Sequence, residues 1–319
     1  TEADGRLERE ERFSEALSGL EEQLADLPSF TEVDRYLLSN NDIPAEALAK
    51  LDTGKAPRSS YLSSDASKIQ VFVLFGLDGV DSSDSVMLVA LDRVHQKIKL
   101  ISLARDSYVF IPEFASFSKL AYSYTWGGAA MAVKNLNYNY YLNVSDYIAV
   151  DFDQLAEIID RIGGVTVNID EDEARYLSNY PNVHVGDCLL DGETAVSYAR
   201  IRKSSATDSD RKRTGRQREV ILSILNTLQT MPLSQYPRFV RDCLGMCATS
   251  FEAETLLTMA AETLGQNYTV EQYFFPEGQV DWWAGLIKEY FYYVYDLRRA
   301  SDRIYRIIYE ELYISGYDD

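Results

Sequence analysis

Three apolar runs of strand length stand almost back to back in the first third of the chain: Ile69 to Leu77, Ser85 to Leu91 and Lys97 to Ala104. Each is rich in β-branched or other apolar residues, and each is far shorter than the roughly 18 apolar residues a membrane span needs. Asp92 to Gln96 supplies a turn between the last two. Helical patterns follow over Gly127 to Leu136 and Phe152 to Ile162, with a short strand, Tyr147 to Val150, between them. Gly163-Gly164 ends the second helix and Val165 to Ile169 reads as a further strand. Glu193 to Arg202 and Arg216 to Leu228 read as helices. Strands and helices mixed in this order predict an α/β (α+β) domain with a central sheet covered by helices.

The flanks are less regular. Leu7, Phe13, Leu17, Leu20 and Leu24 fall near helical spacing, and Pro28 ends that run. A second helix is expected over Val33 to Leu38 and another after Pro44. Thr53 to Ser67, rich in Ser, Gly and Pro, reads as a linker. Residues 1–67 are therefore expected to be a helical stalk or appendage with its linker, and 68–319 the main domain. Met231 to Leu264 reads as mostly helical, and Tyr273 to Phe275 as a short strand before Pro276. The aromatic tail from Trp282 to Tyr313 is expected to be a helix packed on the core, with a sugar-stacking surface as the alternative.

The net charge is -19, which sets most of the surface against a nucleic-acid backbone. Yet eight of the 31 Lys and Arg residues fall between Arg200 and Arg218. A cluster working against the global charge calls for a local anion. Arg200 and Arg202 can converge where a helix unwinds into a loop, and guanidinium forks match phosphate oxygens. If the chain is helical from about Arg213, Arg213 and Gln217 share a face one turn apart. With three Cys and two His residues there is no zinc pattern. Cys188, Cys243 and Cys247 read as buried thiols or, in an exported chain, as including one oxidised pair with Cys188.

Three further elements could carry chemistry. Gly76 to Asp84 is a loop after an apolar strand, and Asp78 and Asp84 could hold Mg²⁺ or Mn²⁺ through hard oxygen ligands. It also reads as plain turn chemistry. Arg105 closes an apolar strand, either paired with Asp106 or aimed into a cleft. Lys119, before Leu120-Ala121-Tyr122, is a phosphate ligand or a surface lysine.

Taken in order, Asp78, Ser83-Asp84-Ser85-Val86-Met87, Leu103 to Ser107, Lys119 to Gly128, Asp160 to Val167, Leu190 to Glu193, Tyr198 to Arg202 and Arg213 to Arg218 resemble the LytR-CpsA-Psr family of cell-wall glycopolymer transferases. The resemblance runs from about Ile69 to Leu228. It implies a mixed sheet between helices, an apolar groove for a polyprenyl chain, and a catalytic domain outside the bacterial cytoplasmic membrane. The anchor would be an N-terminal helix not present in this chain. The implied reaction moves a phosphate-linked glycopolymer from a polyprenyl pyrophosphate carrier to a hydroxyl of peptidoglycan, with Mg²⁺ or Mn²⁺ assisting. By position, Arg105, Lys119, Arg200, Arg202, Arg213 and Gln217 would bind the pyrophosphate, while Asp78 and Asp84, with Arg105, would carry the catalytic and metal roles. Two positions depart from the pattern: Ser82 stands where many members have a basic residue, and Ala121 where Asn is common. The alternatives are a hydrolase acting on the same pyrophosphate, and a non-catalytic lipid-glycan binder or regulator.

Overall fold

The computed structural model describes residues 33–51, 61–79, 83–202, 206–264, 268–278 and 280–314. The helix expected over Leu7 to Leu24, most of the linker and Ser82 lie outside these residues. The elements in chain order are α1 (Ala45–Leu51), β1 (Tyr61–Leu62), β2 (Ile69–Leu77), β3 (Ser83–Asp92), β4 (Lys97–Leu103), β5 (Tyr108–Ile111), β6 (Ser116–Lys119), α2 (Leu120–Tyr140), β7 (Tyr147–Asp151), α3 (Phe152–Arg161), β8 (Val165–Ile169), α4 (Glu171–Tyr176), β9 (Gly186–Leu190) and α5 (Gly192–Ala199). There follow α6 (Ala206–Thr230), α7 (Tyr236–Leu244), β10 (Ala248–Thr249), α8 (Ala253–Leu264), β11 (Thr269–Phe275), β12 (Trp282–Ile287), β13 (Tyr290–Tyr295), α9 (Leu297–Tyr309) and β14 (Tyr313–Ile314).

A six-stranded mixed sheet, in the order β10-β7-β2-β3-β4-β11, forms the centre. β2, β3 and β4 are a meander, while β7 and β11 add in parallel to β2 and β4. Alternation along the strands buries both faces. Phe75, Val86, Leu88, Ile101 and Leu103 face α2 and α9 on one side. Phe72, Met87, Val89 and Leu100 face α6 and α8 on the other. Because β3 runs against its neighbours, the carboxyl ends of β2, β4, β7 and β11 and the amino end of β3 share one edge. In open α/β sheets that edge is where ligands are bound.

A smaller lobe packs α3 and α5 on the β8–β9 hairpin around Ile159, Val165, Leu190 and Tyr198. Gly192 is required there, because a Cβ would lie 2.1 Å from the Ala156 carbonyl oxygen. Gly163 and Gly164 end α3 at φ +85° and +102°, as their sequence position implies.

Several expectations need correction. Trp282 to Tyr295 is not helical but an antiparallel hairpin, β12–β13, and α9 starts only at Leu297. Dense aromatic residues favour a pleated, half-buried surface, and here they alternate between the main core and a second cluster with Leu38 and Tyr108. Val33 to Leu38 is a short 3-10 turn, Asp34–Tyr36, ending in a bridge from Leu38 to Phe117. Residues 61–67 are not linker: β1 pairs with β14 and a 3-10 turn follows. The helix expected over Gly127 to Leu136 runs from Leu120 to Tyr140 across a kink, where Gly128 sits at φ +60°. The helix expected to reach Arg202 stops at Ala199, and that expected from Arg216 starts at Ala206. Residues 33–51 lie against the main body, Val33 and Leu37 in its largest apolar cluster. All three cysteines are free, so no oxidised pair involves Cys188, whose Sγ lies 2.9 Å from His184 Nδ1. Burial pushes the Cys243 thiol up to about 12 and that of Cys247 to about 11.

The far edge of the sheet carries a buried ion network. Lys99 is fully buried, and its Nζ donates to Asp92 Oδ2 at 3.0 Å and to the Ile308 carbonyl at 2.9 Å, with Glu310 at 2.8 Å. Lys99→Met leaves Asp92 buried without its cation and should cost about 3–5 kcal/mol, read from urea unfolding. A loss under about 1 kcal/mol, the range of an exposed pair, would count against this assignment.

His95 Nδ1 lies 2.7 Å from Asp92 Oδ2, and that hydrogen bond raises the imidazole above its ordinary value although burial opposes it. Burial works to raise Asp92, but hydrogen bonds from the His95 backbone and ring and from Lys99 hold it below its ordinary 3.8. The histidine contribution is therefore complete below pH 6.5 and fades as pH rises through the raised folded value. The carboxylate contribution is complete above 3.8 and fades as pH falls through the lowered one. Melting temperature should thus decline above neutral pH in the native chain and decline less in His95→Ala. Identical slopes in the two proteins between pH 6.5 and 8.5 would contradict this.

Candidate functional site

β2 and β3 end together at the ligand edge, with Leu77 opposite Ser83 after a bulge at Gly76/Leu77. Asp78 follows β2 directly, and Asp84 is the second residue of β3. On the other side, β3 and β4 pair Val86 with Leu103, and continuing that register by two places sets Asp84 against Arg105. The sheet itself therefore brings these two side chains together.

Asp84 is the centre of the site. It is 8% exposed, and its Oδ1 accepts a hydrogen bond from Arg105 Nη1. The same oxygen lies 3.4 Å from Arg202 Nη2 and 3.9 Å from Arg213 Nη1. Arg202 comes from the loop after α5, and Arg213 from the second turn of α6. Arg105 Nε also lies 3.7 Å from Asp106, whose other oxygen accepts from Lys119 Nζ at 2.6 Å. Lys119 is delivered by the β5–β6 hairpin, where it pairs with Tyr108. Among the described ion pairs of this cluster, four cations surround two carboxylates, two positive charges in excess, within a chain of net charge -19.

Two of the expected ligands behave differently. Arg200 makes no ion pair with Asp84; its guanidinium stacks 4.5 Å above the ring of Phe152, the first residue of α3. Gln217 lies one turn beyond Arg213, and its Oε1 is buried without a hydrogen-bond partner. Rotating that amide presents its NH₂ at the same place, a donor a phosphate oxygen can use.

Supporting residues that the motif reading did not single out hold this arrangement. Arg216 is 4% exposed and donates to Glu173 Oε1 at 2.7 Å and to the Ile201 carbonyl at 3.0 Å. It thereby ties the Arg200–Arg202 segment to α6. Arg218 donates to Ser102 Oγ at 2.9 Å, and burial lowers it to about 10. Asp106, offered by the sequence as a partner for Arg105, is 3.7 Å from it and also accepts from Lys119, which the β5–β6 hairpin brings back. Arg216 carried no such signal, because it looks like one more member of a basic run.

Beside Ser83 a narrow apolar crevice, too tight to admit a water molecule, lies between β2, β3 and α2, lined by Phe75, Val86, Leu120, Ser123, Tyr124, Ala132 and Leu136. A charged cluster with an apolar crevice alongside suits an amphiphile with an anionic head. Among the described residues one group of metal-ligating side chains converges, Asp92, His95 and Glu310, but it lies at the opposite edge and its carboxylates already hold Lys99. No helix among the described residues is long and apolar enough to cross a membrane.

Comparison with known proteins adds to this geometry. The model of the LytR_cpsA_psr family matches residues 41–305. A polyisoprenyl-teichoic acid–peptidoglycan teichoic acid transferase, TagU of Enterococcus faecalis, is 29% identical over 166 residues, covering 50% of this chain and 54% of that protein. The regulatory protein MsrR of Staphylococcus aureus is 31% identical over 163 residues, 49% of this chain and 48% of the relative. The chain thus spans about half the length of these two relatives. A solved structure of TagT with bound octaprenyl pyrophosphate lipid superposes with a TM-score of 0.59 at 18% identity, covering 78% of this chain and 90% of that one. That likeness is one of fold.

Proposed function

The chain belongs to the LytR_cpsA_psr family, and from that premise we propose that it transfers a phosphate-linked glycopolymer from a polyprenyl diphosphate carrier to a hydroxyl of peptidoglycan. The observation that carries this is the doubly positive cluster around Asp84 set beside an apolar crevice. The names of the transferase relatives and the lipid bound in TagT support the same substrate class. The reaction belongs at the outer face of the cell membrane, where a lipid-linked donor meets the wall.

In the proposed reaction the acceptor oxygen attacks the phosphorus that carries the glycan. The bond from that phosphorus to the bridging oxygen breaks, and polyprenyl phosphate leaves with the electron pair. Such a step asks for charge neutralisation and alignment more than for covalent participation. Arg105, Arg202 and Arg213 would turn from Asp84 to the diphosphate oxygens, with Lys119 and Gln217 at the ends of the cluster. Arg200 would join from its position over Phe152. Asp84, released from its guanidiniums, would accept the proton of the attacking hydroxyl. The prenyl chain would widen the crevice by shifting the first turns of α2, which the Gly127–Gly128 kink separates from the rest of the helix.

Asp78 and Asp84 offer hard carboxylate oxygens at adjoining strand ends, a donor type that fits Mg²⁺ or Mn²⁺ once the guanidiniums move to the substrate. A bound ion would supply further positive charge to the transferring phosphate. The decisive assay compares release of polyprenyl phosphate and product identity with and without peptidoglycan. Acceptor-dependent formation of a phosphodiester supports transfer, whereas release at the same rate to water alone would make the protein a hydrolase.

A further inference from the structure

Lys119 marks a boundary in the site. Its Nζ donates to Asp106 on one side, while on the other it lies 5.9 Å from the centroids of both the Tyr122 and Tyr290 rings. Beyond it the tyrosines continue as one cluster. The Tyr36 ring is 5.0 Å from Tyr122 and 5.7 Å from Tyr290, and Tyr122 is 5.3 Å from Trp126. Trp126 is buried behind them, but Tyr36, Tyr122 and Tyr290 keep part of their surface open. The exposed Arg35 guanidinium lies 4.6 Å over Tyr36. Three segments distant in sequence, the 3-10 turn, α2 and β13, thus build one aromatic lip next to the charged cluster.

The opening of α2 sorts its residues in a telling way. Leu120, Ser123 and Tyr124 line the apolar crevice. Tyr122 and Trp126, one turn apart, instead meet Tyr36. A diphosphate carrier has its charge in the middle, lipid on one side and glycan on the other. If the crevice takes the lipid, the glycan must leave the charged cluster along another wall, and the lip adjoins that cluster at Lys119. A pyranose ring has an apolar face of C–H groups and a rim of hydroxyls. Tyrosine rings with cations at both ends complement both parts.

We propose that Tyr36, Tyr122 and Tyr290 form a stacking subsite for the first sugar of the lipid-linked glycan. This rests on the lipid-diphosphate reading of the adjoining site, and the test separates the two. Binding is measured for polyprenyl diphosphate without sugar and for the same lipid diphosphate carrying an N-acetylhexosamine. The native protein should prefer the sugar-bearing ligand. Tyr290→Ala should erase about 2- to 10-fold of that preference, leaving the sugar-free ligand bound within twofold, and Tyr290→Phe should retain it. Tyr122→Leu, on a different element, should act in the same direction. Equal weakening of both ligands would put the prenyl chain on the lip and overturn the proposal, as would no change in preference in either variant. Failure of the native protein to bind the sugar-free ligand would overturn the underlying site reading, and the subsite with it.

Discussion

Arg105→Ala should lower single-turnover transfer from a polyprenyl diphosphate donor by roughly 10²–10³-fold, the usual loss when one preorganised donor to a developing charge is removed. Arg105 is placed by the end of β4, and it is the residue that joins the two halves of the cluster. Its Nη1 reaches Asp84 and its Nε lies 3.7 Å from Asp106, which holds Lys119. Removing it cuts the excess positive charge from two to one and disconnects Lys119 from the arginine fan. Arg105→Lys restores the charge but not the planar fork, so it should recover only part of the rate. The fold should survive, because Asp84 keeps Arg202 and Arg213 nearby and no apolar core atom is lost. A thermal melt within a few degrees of native, together with the rate loss, is the expected pair of results. Full turnover in Arg105→Ala would remove this cluster from the chemistry.

Much of this arrangement was legible in the sequence because it depends on short-range pattern. The central strands and the turn after Asp92 follow from apolar alternation, but Asp84, expected in the loop from Gly76, is in β3, and only the β3–β4 register sets it against Arg105. The basic run from Arg200 to Arg218 stands out by opposing the overall charge, which is why it reads as an anion site. Its division of labour was not legible. Arg213 reaches Asp84, Arg216 is locked on Glu173, Arg218 bonds Ser102, and Arg200 stacks on Phe152. Those differences arise from helix phase and from the early end of α5 at Ala199, which a run of like residues does not display. The β12–β13 hairpin was hidden for another reason. An aromatic segment apolar on both faces has no clean period, so helix and strand are indistinguishable until its partners are known. Lys99 illustrates the same limit. Within a strand it resembles a solvated lysine, and only the return of α9 reveals Glu310 and the Ile308 carbonyl beside it.

Asp84→Asn should separate binding from turnover, in opposite directions. Three guanidiniums converge on one oxygen of Asp84, so its charge competes with any diphosphate for the same donors. Neutralising it raises the excess positive charge from two to three and leaves an amide oxygen that still accepts a hydrogen bond. Diphosphate binding should therefore tighten by at least about fivefold, the ~1 kcal/mol between charges ~4 Å apart screened as in water. Turnover should fall by about 10²–10⁴-fold, because the group proposed to take the hydroxyl proton is gone. Titrating polyprenyl diphosphate while following transfer in the same preparation reads both effects. A parallel fall in both would mean that Asp84 chiefly holds the arginines in place. Tighter binding with full turnover would leave it as an electrostatic gate and move the proton to another group, of which Asp78, at the adjoining end of β2, is the nearest in the strand register.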